Sequence, residues 1–134
     1  RDWNRRSLKQ HRVAAGVSCL ALRGDEAYLG QVAPGAAAVL KDGSLQRLQP
    51  RLPEALEPLG LHDEFRPDFS RHELSPGDRI LLLSSGLAAA LSDEELTAAL
   101  QALPEETLPL LYRKAKGMPY CAAVLVAALP EAPA

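Results

Sequence analysis

Long apolar runs, paired cysteines and a surplus of charge of one sign are all missing from this 134-residue chain. No stretch approaches the ~20 consecutive apolar residues of a membrane-spanning helix, and the polar N-terminus does not read as a signal peptide. The expectation is a cytoplasmic protein with no membrane partner. Cys19 and Cys121 form no Cys-x-x-Cys pair, and each stands in an apolar strand-like run. They are expected as buried free thiols, with neither a disulfide nor a metal between them. A formal net charge of -2 and a pI near 5.9 give no general attraction for nucleic acid or anionic lipid.

The common catalytic signatures are absent too. No Gly-x-Ser-x-Gly elbow surrounds Ser84 or Ser85, and there is no His-Glu-x-x-His and no phosphate-cradling glycine loop. His11, His62 and His72 stand at spacings that link them to no Ser or Cys nucleophile, and they are expected at the surface or in caps.

The chain does have enough apolar residues, 47%, for the core of one domain. Charge is uneven: Arg1, Arg5, Arg6, Lys9 and Arg12 against Asp2 make residues 1–12 a basic arm of +4. Only Trp3 accompanies it, so a solvated helix end is expected and a nucleic-acid platform is not. Residues 13–129 form the domain, and Pro130 to Ala134 a fraying tail.

Turn chemistry divides that domain. Val13 to Leu22 and Ala27 to Val32 flank Gly24-Asp25, while Ala36 to Leu40 and Ser44 to Leu48 flank Asp42-Gly43, so four strands are expected as one antiparallel meander. Pro50, Pro53, Pro58 and Pro67 then forbid a long helix or interior strand between Gln49 and Asp68. Connections of that length often cover or bind something. Phe69 to Leu74 alternates as a strand, Ser75-Pro76-Gly77-Asp78 turns, and Arg79 to Ser84 is nearly all apolar.

Ser92 and Glu95 form a capping box for a helix from about Asp93 to Ala102 whose face is Leu96, Ala99 and Leu100. Pro104 opens a second helix, with Leu108, Leu111 and Tyr112 as its expected apolar face and Gly117 as its stop. Tyr120 to Leu129 is again apolar. It and Arg79 to Ser84 are expected to be central strands, with Leu81, Leu83, Val124 and Val126 buried.

Taken in order, Ala21-Leu22-Arg23-Gly24-Asp25-Glu26-Ala27-Tyr28-Leu29, Val39-Leu40-Lys41-Asp42-Gly43, Pro58-Leu59-Gly60, Arg66-Pro67-Asp68 and Glu73-Leu74-Ser75-Pro76-Gly77-Asp78-Arg79 form a series. Leu83-Ser84-Ser85-Gly86-Leu87 and Ser92-Asp93-Glu94-Glu95-Leu96 complete it. The series resembles the C-terminal half of the metal-dependent (PPM, type 2C) protein serine/threonine phosphatases. No single segment is specific, but their joint order is. The resemblance implies an α+β fold, an antiparallel β-sandwich flanked by helices, here without the family's N-terminal strands.

The departures fall where the family keeps acids. Ser85 stands at the crest position of a metal-binding Asp, Pro34 lies in the segment replacing Gly-Asp-Ser-Arg, and Pro119 aligns with the Asp-Asn before the last strand. A hydroxyl and two prolines cannot replace the anionic oxygens that hard divalent cations favour. No cofactor and no catalytic residue is therefore expected. Asp63, Glu64 and Asp68 offer the nearest substitute cluster, more simply read as a solvated loop.

The reading that follows is a catalytically silent phosphatase-like module that binds a protein partner. Its alternatives are the C-terminal half of an active phosphatase using manganese or magnesium, and a structural or oligomerising domain. An uncovered sheet edge is expected, to be met by the protein's own N-terminal segment, a protein partner or a homodimer.

Overall fold

The computed structural model describes residues 17–32, 36–48, 67–118 and 121–129. The basic arm and the tail lie outside these residues, as do His11, His62, Asp63, Glu64, Pro34 and Pro119.

Glycine and aspartate place the first two reversals. Strands β1 (Val17–Arg23) and β2 (Glu26–Val32) meet at Gly24-Asp25, where Gly24 has φ +60°. Strands β3 (Ala36–Lys41) and β4 (Ser44–Leu48) meet at Asp42-Gly43, with φ +50° and +78°. Two successive positive φ values are what a type I′ hairpin turn requires, and Asp-Gly meets that demand at low cost.

The two hairpins do not continue into one meander. β2 pairs with β1 and with β5 (Asp68–Glu73), giving a sheet of order β1-β2-β5. β3 joins a second sheet, β4-β3-β6-β7, with β6 (Arg79–Leu83) and β7 (Ala123–Ala127). All pairings are antiparallel. The physical reason is burial. Ala27 and Leu29 of β2, and Ala37 and Val39 of β3, each line one face of a strand, and stacking the sheets face to face buries both sets together with Leu48 and Ile80.

The second sheet has a second buried face. Ala38, Leu40, Leu81 and Leu83 pack under α1 (Ser85–Ala90), α2 (Asp93–Gln101) and α3 (Pro104–Ala115), through Leu87, Leu96, Leu100 and Leu111. β6 therefore needs apolar residues on both faces, which explains its unbroken Ile80-Leu81-Leu82-Leu83 run.

Polar ties join the layers. Buried Gln31 donates through Nε2 to Leu48 O (3.0 Å), and Lys41 Nζ donates to Glu73 O. Asp78 is buried at the Pro76-Gly77 turn. Its Oδ2 accepts from Ser75 N at 2.8 Å, and its own amide closes the turn on Ser75 O at 2.9 Å. Gly77, at φ +95°, takes the left-handed position that follows proline in a type II turn.

The helices start as their sequence dictates. Glu95 N donates to Ser92 Oγ at 3.1 Å and Ser92 N to Glu95 Oε1 at 3.2 Å, completing the capping box. Pro104 occupies N1 of α3, and Gly117, at φ +96°, follows its C-cap. The expected face of α3 needs correction in part: Leu111 is buried as expected, but Leu108 and Tyr112 are exposed, and the buried residues are Thr107, Leu111 and Ala115. Their i, i+4 spacing makes one stripe, and Thr107 is tolerated because its Oγ1 donates to Ala99 O at 2.7 Å.

Three further expectations fail. β7 is an edge strand among the described residues, with Val124 57% exposed and Val126 half-buried. An apolar run alone does not distinguish a strand flanked on both sides from one at an edge. Cys19 and Cys121 are exposed. Cys19 faces outward from edge strand β1, opposite Gly30, and Cys121 precedes β7. On that outer face Phe69, 72% exposed, lies across Gly30, where an added Cβ would stand 2.9 Å from its ring.

Burial sets the energetic ranking of these elements. Leu81→Ala should lower the unfolding free energy by about 2–5 kcal/mol, and Tyr112→Ala, at an exposed helical position, should stay within about 0.5 kcal/mol. Urea denaturation of both variants checks this ranking.

Candidate functional site

The crest after β6 holds Ser85, the one of the three positions where the resemblance implies a lost metal ligand that lies among the described residues. Ser84 ends the strand in extended geometry, with φ -65° and ψ 150°, and Ser85 opens α1. Main-chain bonding fixes the crest to the segment before β7: Ser84 N donates to Ala122 O at 2.8 Å, and Ala122 N donates to Ser84 Oγ at 3.2 Å. Beneath it, the methyl end of Met118 lies 3.3 Å from where a Cβ on Gly86 would sit. Leu87 enters the helix-side core.

The far end of α1 is held by a residue that sequence reasoning missed. Arg47, projecting from β4, donates through Nη1 to Ala88 O (2.8 Å) and through Nη2 to Leu91 O (2.5 Å). Its Nε donates to Asp93 Oδ1 at 2.6 Å, so one guanidinium takes two carbonyls at the end of α1 and the first carboxylate of α2. A six-residue helix with no side-chain N-cap and no basic residue in its last turn has little stability of its own. The isolated Arg in a polar strand gave no hint of this reach.

The donor chemistry at the crest is neutral. Ser85 is exposed, and the Ser84 hydroxyl already accepts from the main chain. Among the described residues no group of three or more His, Cys, Asp or Glu side chains could hold a metal ion. These groups do not fit a hard divalent cation, which takes several anionic or carbonyl oxygens. Asp68, the described member of the Asp63, Glu64 and Asp68 cluster, begins β5.

The other polar clusters serve the sheets. On the outer face of the first sheet, Glu26 receives hydrogen bonds from Tyr28 and Arg71. Its carboxyl is held below the ordinary value, chiefly by the Tyr28 hydroxyl, and Tyr28 is raised in return. Lys114 bridges Glu95 at 2.8 Å, joins α3 to α2, and is the main cause of the lowered Glu95 pKa. Below that bridge Leu91, Ala98, Ala99, Leu110 and Leu111 line an apolar groove of about 320 Å³.

His72 departs from the expectation that no His meets a nucleophile. It stands on the inner face of β5 at the register of Ala27, half-buried, with Nε2 2.9 Å from Ser70 Oγ. Residues two apart on a strand share a face, and this is the signal that was available. Burial, followed by the charge of Lys41, holds the ring pKa below its ordinary value. No carboxylate bond to the ring is present among the described residues, so the pair satisfies polar groups at the sheet interface.

Neither a protein-family model nor a curated protein sequence matches the chain. Solved structures do. PppA of Pseudomonas aeruginosa, described as a key regulatory component of T6SS, superposes with a TM-score of 0.72 at 22% identity, over 92% of this chain and 63% of that one. The Mycobacterium tuberculosis serine/threonine phosphatase PstP/Ppp gives 0.70 at 23% identity, over 96% and 66%. The catalytic domain of PstP in complex with two manganese ions gives 0.68 at 22% identity, over 93% and 64%.

The fold is that of the PPM-type protein phosphatases. In each of these comparisons the chain spans just under two thirds of its neighbour's length. The α+β sandwich expected from the segment order is thereby present.

Two outcomes check the site geometry. Arg47→Met should cost about 1.5–3 kcal/mol, the range for hydrogen bonds to a charged group, and should speed amide exchange across Ser85 to Ala90 before the global transition. For His72, the folded pKa lies below the ordinary value of about 6.5. The unfolded chain therefore binds its proton first. Stability should be full above that value, fall as pH drops through it, and level off below the folded pKa. Urea midpoints measured across this window should be flatter for His72→Gln than for the unaltered chain.

Proposed function

We propose that this chain is a catalytically silent module of phosphatase fold that acts by binding a protein partner, at the crest end of the sandwich or through the Gln49 to Asp68 connection. The observation that carries the reading is the crest itself: the PPM-type backbone is in place, while its side chains are Ser84, engaged with Ala122, and exposed Ser85. Pro34 and Pro119, at the other two positions where the resemblance implies acids, supply no side-chain oxygen. Without convergent carboxylates there is no means to hold a metal pair, lower the pKa of an attacking water or clamp phosphoryl oxygens. Exposed free thiols at Cys19 and Cys121 fit a reducing, cytoplasmic setting.

A second reading draws on the neighbours' greater length and on the two manganese ions of the PstP complex. In it, this chain is the C-terminal half of an active metal-dependent phosphatase whose remaining ligands lie elsewhere in the protein.

Hydrolysis and metal binding by the protein with its full native N-terminus separate the two readings. With manganese or magnesium added, the silent reading expects no turnover of p-nitrophenyl phosphate or a phosphoserine peptide above background and no manganese binding by calorimetry, whereas turnover by that protein and not by this chain alone would favour the second reading. Metal-dependent turnover abolished by Asp63→Ala or Asp68→Ala would overturn the silent reading and locate a displaced site.

A further inference from the structure

α1 is the shortest of the described helices, and groups outside it fasten both of its ends. At its start Ser84 N donates to Ala122 O and Ala122 N to Ser84 Oγ, which fixes the crest to the segment before β7. At its finish the Arg47 guanidinium takes Ala88 O and Leu91 O, carbonyls of the kind a helix end leaves without partners. Ser92 then caps α2 through Glu95, so the chain is fixed again directly beyond. Ser85 to Ala90 lie between two anchored points.

Little else keeps these residues in place. Leu87 alone among them is buried, Ala88 is half-buried, and Ser85, Gly86, Ala89 and Ala90 are exposed. Melting the segment would expose one leucine and return backbone freedom to the whole of α1, including a glycine, so the two effects oppose each other closely. The packing beneath is also incomplete. A gap of about 30 Å³, room for roughly one water, remains between Arg47, Ala88, Leu83 and Leu96.

From this arrangement we propose that α1 is a strap: it opens as a unit between Ser84 and Leu91, with the Arg47 guanidinium as its latch, while α2 and the sheets stay folded. Openings of this kind belong to the low-stability end of a fold. The latch works by geometry. Arg47 bonds Ala88 O, Leu91 O and Asp93 Oδ1 together, which suits a planar fork of donors and does not suit the point charge of an ammonium. Opening uncovers Leu83, Leu87 and Leu96 as one apolar slot and frees Arg47 at its rim. Where the crest is a binding surface, as proposed above, Arg47 sets how often that surface is formed. The strap itself does not depend on that reading.

Native-state amide exchange at rising urea, read residue by residue on the unaltered protein, tests the strap. Ala88 to Ala90, beginning with the Ala88 N to Ser84 O bond of 2.9 Å, should exchange through an opening almost insensitive to urea, because it exposes little surface. Leu81 in β6 and Leu100 in α2 should exchange only through an unfolding that urea strongly promotes. Arg47→Met should raise the open fraction of the strap by about tenfold or more. Arg47→Lys keeps the charge and should open it to a similar degree, whereas Lys114→Met, which removes the bridge between α3 and α2, should leave the strap unchanged. The inference is overturned if Ala88 to Ala90 share the urea dependence of Leu81, or if Arg47→Lys keeps the strap as closed as arginine does. It is overturned equally if Leu100 opens together with α1 or if Lys114→Met loosens the strap, since the helix layer would then be moving as one. The urea series uses the unaltered protein and remains decisive if a variant fails to fold. Its failure would leave the silent-module reading to hydrolysis and metal binding.

Discussion

Burying β6 on both faces is the constraint that organises this molecule. Ile80 faces the first sheet and Leu81 and Leu83 face the helices, so neither layer can be removed without exposing one set to water. At roughly 1.5–3 kcal/mol for each buried aliphatic side chain, the strand demands a cover on each side. The β1-β2-β5 sheet meets one demand by stacking on it, and α1 to α3 meet the other. Gln31 and Lys41 then add direction, since each bonds a carbonyl of the opposing sheet and fixes how the layers sit.

That dependence bears on the proposed loss of chemistry. The crest is held by main-chain bonds between Ser84 and Ala122 and by Arg47 at the far end of α1, and none of these contacts needs a metal. Acids gathered to hold an ion repel one another when it is gone, by about 4 kcal/mol per pair at 4 Å in a partly screened site. On the proposed reading, replacing them by serine and proline removes that repulsion and leaves the scaffold intact. Binding surfaces can then change without regard to catalysis.

Local chemistry was readable from the sequence, and long-range pairing was only partly so. Asp42-Gly43, Pro76-Gly77, the Ser92 to Glu95 box, Pro104 and Gly117 each dictate a conformation within four residues, and each stands where its chemistry placed it. The partition of β1 to β4 into two sheets, the edge position of β7 and the exposure of Cys19 depend on which faces find partners far along the chain. Thr107 was passed over because its polarity concealed a buried position, and α1 because a helix of six residues has too little period to register. At the site, the order of segments located the crest and its serine. The hold of Arg47 on α1 was invisible, because it joins residues more than forty positions apart. Pro34 and Pro119 lie outside the described residues.

The ring of Phe69 across Gly30 ties together two positions thirty-nine residues apart through a single close approach. A side chain at 30 and an aromatic ring at 69 compete for the same space on the outer face, and the ring, largely solvent-facing, is the partner able to yield. Among diverged versions of this chain, positions 30 and 69 should therefore vary as a pair: glycine beside an aromatic residue, or a larger residue beside a small one. Homologous sequences should thus carry a record of this contact, one that neither position would reveal if tabulated alone.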